Sequence, residues 1–298
     1  MRLRATVTAI VTLVITVAVM AGFAAPAQAA PGPRGCPKLY VLAIPGTWAN
    51  NQNPGLLGAV TAGLGPETRV DYVGYDATAF PWEKAVYGKS KAQAVANTTG
   101  LAVTMLRRCP RTRIALTGYS QGADAAGDVA SEIGTGRAGI RPGQVAGVVL
   151  LSDPRRSHDN NLVGPPLEGQ GSGGPRRGGM GWLLPRAFTI CEPRDLYCNV
   201  PRDFYVTRIA GYLAETSDPT PSQLGQYQAE AGAIVDELLR QGGLGKVTYE
   251  LSNARARQQI LAFDRFLNSG SHGNYQAFEV KPGVTAVAWA RNFLAGLA

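Results

Sequence analysis

The chain has 298 residues, 45% of them hydrophobic and 17% charged, with a formal charge of +8 at pH 7. That is enough for one large domain with a substantial core or for two small ones. The basic excess is scattered in pairs such as Arg107-Arg108, Arg155-Arg156 and Arg176-Arg177, with no nucleic-acid motif beside them. A nucleic-acid partner is therefore excluded, and a solvated basic surface suited to an anionic envelope or lipid interface is expected.

Residues 1–29 read as a signal peptide. Arg2 and Arg4 precede an apolar run from Ala5 to Phe23, and Ala27-Gln28-Ala29 supplies a small-x-small cleavage pattern. The run, about 17 to 19 residues, is also long enough to stay as a membrane anchor. The cleavage pattern and the prolines that follow favour removal and export, leaving residues 30–298 as a single domain. Outside the cytosol four cysteines tend to pair. Three connectivities exist, and no C-x-x-C spacing suggests zinc. The local pair Cys191–Cys198 leaves Cys36–Cys109. Loop entropy assigns about 4.4 kcal/mol to the long bridge and about 2.5 kcal/mol to the short one. The short one mainly fixes local shape.

From there strand and helix patterns alternate. Strands are predicted at 39–44, 69–75, 113–119, 145–151 and 186–190, and helices at 56–64, 91–108 and 121–133. Alternation of this kind predicts an α/β domain with a mainly parallel sheet covered on both faces. The stretch 154–185, rich in Gly and Pro and containing GQGSGG, reads as a long surface loop within that domain. Beyond Asp195 the pattern is mostly helical, at about 203–214, 221–240, 253–267 and 284–297, and 203–268 reads as a helical insertion. The segment 221–240 carries an amphipathic stripe that suits either a packed helix or a lid.

Three lookalikes carry no function. Gly88-Lys89-Ser90 lacks the leading glycine of a phosphate loop, GQGSGG opens no helix, and Asn97-Thr98-Thr99 is a sequon inside a predicted helix.

The sharpest signal is Gly118-Tyr119-Ser120-Gln121-Gly122, a G-x-S-x-G pattern between a predicted strand and a small-residue helix. That context is a nucleophile elbow, in which Ser120 stands at a helix N-terminus and glycine neighbours permit the tight turn. A serine nucleophile needs a histidine base, and the chain holds two. In α/β hydrolases the order is Ser, acid, His. His158 leaves little room for an intervening acid, whereas His272 follows a helix and is flanked by small residues, which favours His272. For the acid, Asp195 lies after the last strand inside CEPRDLYC, where a bridge would fix its backbone. Asp153, next to Pro154 at a strand end, is the alternative and suits a turn cap. The oxyanion donors are expected from the backbone N–H groups of Thr47 and Gln121, with the Thr47 hydroxyl as a possible third.

Together, IPGT at Ile44–Thr47, GYSQGA at Gly118–Ala123, the aspartate of CEPRDLYC, SHGNY around His272 and the paired cysteines resemble the cutinase family of serine esterases, most closely its exported actinobacterial members. The resemblance spans roughly residues 36–298. It implies a three-layer α/β-hydrolase sandwich, a Ser120, Asp195, His272 triad and hydrolysis of carboxylic esters, often of lipids, at an interface. The exported chain is expected to be secreted or envelope-associated and to act as a monomer on acyl esters or envelope lipids. No metal or organic cofactor is expected. Fungal members separate acid and base by a short loop, so the long helical interval here points away from an open cutin site and toward a covered or lipid-shaped one. Trp48, Phe80 and Trp82 suit either the wall of that site or the core. Two other functions fit the same residues: acyl transfer to a sugar hydroxyl, as in trehalose lipids, and non-catalytic lipid binding.

Overall fold

The computed structural model describes residues 35–80, 82–217 and 253–298. The N-terminal segment 1–29 and the predicted helix 221–240 lie outside the described residues.

Six parallel strands form one sheet: β1 Leu39–Ile44, β2 Thr68–Tyr72, β3 Arg113–Tyr119, β4 Val145–Leu151, β5 Asn161–Val163 and β6 Ala187–Ile190, in the spatial order β2-β1-β3-β4-β6-β5. β1 is buried along its whole length, and its side chains alternate between two cores. Tyr40, Leu42 and Ile44 face the core shared with helices α2 Tyr87–Arg108 and α3 Gln121–Gly134. Leu39, Val41 and Ala43 face the other, built with α1 Leu56–Val60 and α6 Ala286–Ala295. A strand covered on both faces needs this continuous apolar run, and the layers are helix, sheet, helix. Helix α3 presents Ala123, Ala125, Ala126 and Ala130 to the first core. Between α3 and α6 run α4 Tyr205–Glu215 and α5 Asn253–Ser269, then a 3-10 turn at Ser271–Gln276 and a small hairpin, β7 Glu279–Lys281 with β8 Val284–Thr285.

Several expectations shift. The second strand ends at Tyr72 rather than Tyr75, although Val73 N–H still reaches Ala43 O at 2.9 Å. α1 stops at Val60 because the Thr61 hydroxyl turns back onto Leu57 O, 2.9 Å away. The largest correction concerns 154–185, which is no simple surface loop. It contains β5 at the sheet edge, and Gln170 pairs with Val200 through both backbone hydrogen bonds, 3.1 and 2.7 Å. Arg155, Arg156 and Arg176, expected on a solvated surface, are buried. Arg176 donates Nη1 to Asp153 Oδ2 at 2.7 Å and Nε to Asp128 Oδ1 at 2.8 Å. Asp153 keeps the turn cap expected of it, its Oδ1 accepting from Arg155 N–H at 3.0 Å, and is in addition a buried ion-pair acceptor.

Both disulfides are present. Cys36–Cys109 ties the start of β1 to the end of α2, and Cys191–Cys198 closes the turn after β6.

Candidate active site

In an open parallel sheet, ligands bind beyond the carboxyl ends of the strands where the winding reverses. Here the chain winds outward from β1 in both directions, to β2 on one side and to β3 on the other. The carboxyl ends of β1 and β3 carry Thr47 and Ser120.

Ser120 holds φ 56° and ψ −126°, a conformation that side chains rarely adopt. The flanking glycines make the turn possible. A Cβ on Gly118 would lie 2.2 Å from Gly122 O, and one on Gly122 would lie 2.0 Å from Ile44 O. The strain is retained because neighbouring strands fix the turn: Ser120 N–H donates to Leu151 O at 3.0 Å. Its hydroxyl is consequently presented at the N-terminus of α3.

The 3-10 turn after α5 brings His272 to this hydroxyl, with Nε2 3.0 Å from Ser120 Oγ. On the other side of the ring, Nδ1 lies 2.9 Å from Asp195 Oδ2. The imidazole is packed between rings: Tyr119 stacks on it with centroids 5.1 Å apart, and Tyr197 meets it edge-on at 4.6 Å. The Tyr119 hydroxyl also donates to the His272 carbonyl.

Asp195 is fully buried in the turn closed by Cys191–Cys198. Its N–H donates to Glu192 O at 2.9 Å, and its Oδ1 accepts from Tyr197 N–H at 3.0 Å. Burial alone would raise the carboxyl's pKa. The charge and hydrogen bond of His272, with hydroxyl donors from Ser152 and Tyr275, outweigh it and hold Asp195 below the usual carboxylate range.

No sequence motif marks those two hydroxyls. Ser152 Oγ donates to Asp195 Oδ2 at 2.6 Å and sits 3.1 Å from His272 Nδ1, while Tyr275 OH donates to the same carboxylate oxygen at 2.7 Å. The available signals were slight: Ser152 directly follows β4, as Ser120 follows β3, and Tyr275 lies three residues after His272 in one tight turn. Ser152 also has a positive φ of 55°.

Thr47 and Gln121 come together at the opposite wall. Thr47 Oγ1 points at Gln121 Oε1, 3.4 Å away, and so is turned to the glutamine. Gln121 Nε2 donates to Thr78 O at 2.9 Å. Among the described residues, neither backbone N–H of Thr47 and Gln121 has an acceptor. His158, the other histidine, is exposed and takes no part in this cluster.

Trp48, Phe80 and Trp82 are not core residues; they are 70%, 40% and 80% exposed.

Among known proteins, the Cutinase family model matches residues 36–221. The carboxylesterase Culp6 homolog of Corynebacterium glutamicum is 29% identical over 208 residues, covering 57% of this chain and 67% of that protein. Among solved structures, lysin B from Mycobacteriophage D29 superposes with a TM-score of 0.55 at 18% identity, over 86% of this chain and 99% of its own. The catalytic core of acetyl xylan esterase from Trichoderma reesei gives 0.48 at 20% identity, over 65% and 99%. His272 lies beyond the stretch that the family model matches.

Proposed function

We propose, for a chain that belongs to the cutinase family and is a carboxylic-ester hydrolase, that Ser120, His272 and Asp195 form its catalytic triad and that the protein acts outside the cytosol on acyl esters. The observation that carries this reading is the continuous line of hydrogen bonds from Ser120 Oγ through both imidazole nitrogens to Asp195 Oδ2.

In this mechanism Ser120 Oγ attacks the ester carbonyl while His272 Nε2 takes its proton. The ionised Asp195 accepts from Nδ1–H, which fixes the tautomer and stabilises the imidazolium. The carbonyl oxygen becomes an oxyanion, facing the free N–H groups of Thr47 and Gln121 and the positive end of α3. The Gln121 side chain is committed to Thr78 O and Thr47, so it braces the two loops and leaves its main-chain N–H for substrate. Collapse of the intermediate expels the alcohol, protonated by His272 Nε2–H, and leaves the acyl group on Ser120. A water deprotonated by the same nitrogen then attacks the acyl carbonyl, and the acid departs as Ser120 regains its proton.

Export is supported by the two disulfides and by the N-terminal charge, apolar run and cleavage pattern. Hydrolysis of p-nitrophenyl acyl esters by the protein lacking residues 1–29 tests the activity. Ser120→Ala is expected to lower kcat by roughly 10⁵-fold or more. A variant retaining near-normal turnover would refute the assignment.

A further inference from the structure

One feature beside the active site plays no part in the chemistry above. Trp48, next to Thr47, stacks on Phe80 with centroids 6.2 Å apart, and Phe80 stacks on Trp82 at 4.7 Å with an interplanar angle of 3°. Exposed aromatic residues normally move inward, where each would bury 150–250 Å². These three are held outward by a specific framework. The Glu83 carboxylate accepts from Trp48 Nε1 at 2.7 Å, from Ala79 N–H at 2.7 Å and from Phe80 N–H at 2.9 Å. Those donors hold its carboxyl below the usual range despite the opposing effect of desolvation. Trp48 N–H donates to Ala77 O at 2.7 Å, and both residues have positive φ, 63° and 56°. Non-glycine residues adopt this conformation only where the surroundings enforce it. Gln121 links both loops to the elbow through Thr47 and Thr78. The row of rings is therefore rigid and registered to Ser120.

The surroundings indicate what it would hold. The turn that follows Trp48 exposes Asn50, Asn51, Gln52 and Asn53, and among the described residues the side chains of Asn51, Gln52 and Asn53 donate and accept no hydrogen bond. No exposed Leu, Ile or Val lies in either loop. The nearby charges balance: Glu83 and Asp76 against Lys84 and Lys89, with Lys84 Nζ 2.6 Å from Asp76 Oδ1. An anionic lipid surface calls for an excess of basic residues beside the apolar side chains that enter it, and these loops carry no such excess. A neutral sugar calls for something else. Flat π faces receive its polarised C–H face, and uncommitted amides meet its hydroxyls.

We infer that Trp48, Phe80 and Trp82, with the amides of 51–53, form a binding platform for a neutral glycan, which places a carbohydrate on the alcohol side of the ester cleaved at Ser120. This inference rests on the esterase reading for that second part only.

The test uses Trp82→Ala, a change at an 80%-exposed position that leaves the core untouched. Xylotriose and maltotriose are titrated into the unmodified protein, followed by tryptophan fluorescence and by NMR saturation transfer. Saturable binding at millimolar concentrations, lost in Trp82→Ala, is expected; no binding of either sugar overturns the platform. In turnover, the ratio of kcat/KM for 6-O-octanoylglucose to that for methyl octanoate is expected to fall roughly tenfold in Trp82→Ala. An unchanged ratio overturns the placement on the alcohol side. If Trp82→Ala instead abolishes sedimentation with phosphatidylglycerol vesicles while sugar binding is absent, the rings are a lipid-docking surface and the inference is wrong. Should neither ester be cleaved, the esterase reading fails, while the sugar titration, which needs no turnover, still decides the platform.

Discussion

Asp195 Oδ2 gathers three donors, Ser152, Tyr275 and His272, in a space without water contact. Such an arrangement works only while the carboxylate is ionised. Its folded-state pKa is depressed, so the stability it contributes is fully present above the unfolded value of about 3.9 and is lost as the pH falls through the lower folded value. The stability gap between the native protein and Asp195→Asn in urea unfolding is therefore expected to be widest at neutral pH and to close below about pH 4. In the proposed mechanism Ser152, bonded to Asp195 Oδ2 and 3.1 Å from His272 Nδ1, positions the acid and the imidazole. Ser152→Ala is expected to lower kcat roughly tenfold or more with KM held, as removing one hydrogen bond to a charged group implies. A KM rise with kcat intact would instead mark a role in binding. Ser120, Asp195 and His272 could be picked from the sequence because the elbow needs its glycines, the chain holds only two histidines, and two cysteines bracket the aspartate. Ser152 and Tyr275 could not, since only the folded sheet brings β4's end and the 3-10 turn to one carboxylate.

At the scale of elements, the strands and helices before residue 154 were legible because buried parallel strands and amphipathic helices differ in apolar period. The stretch 154–185 was not. Its arginines look like surface residues in one dimension, yet Arg156 Nε donates to Cys198 O at 2.7 Å and so braces the acid's turn from beneath. The two bridges divide the work. Cys191–Cys198 encloses a short loop already stitched by Asn199 N–H to Asp195 O at 2.9 Å, and Cys36–Cys109 spans 73 positions. Replacing Cys191 and Cys198 by Ser is expected to cost about 2.5 kcal/mol of stability at most, while replacing Cys36 and Cys109 costs about 4.4 kcal/mol. Activity should nevertheless fall further in the first variant, because Asp195 loses its mount. Paired measurements of melting temperature and kcat check this; activity that merely tracks stability in both variants would contradict it.

Across the whole molecule, one buried charge network joins the site to the helices around it. Lys91 of α2 pairs with Glu215 at the end of α4 and lies 3.1 Å from Asp128, while Arg176 reaches Asp124, one turn from Ser120 on α3, at 3.2 Å. Removing one partner of such a network leaves uncompensated buried charge, so Arg176→Met is expected to cost about 3 to 5 kcal/mol in denaturant unfolding. That Ser120 is an activated nucleophile is tested most directly by peptide mapping by mass spectrometry after treatment with a fluorophosphonate. A single adduct on Ser120, formed rapidly by the native protein and lost in His272→Ala, is the predicted result. An unlabelled protein, or labelling that survives His272→Ala undiminished, would contradict it.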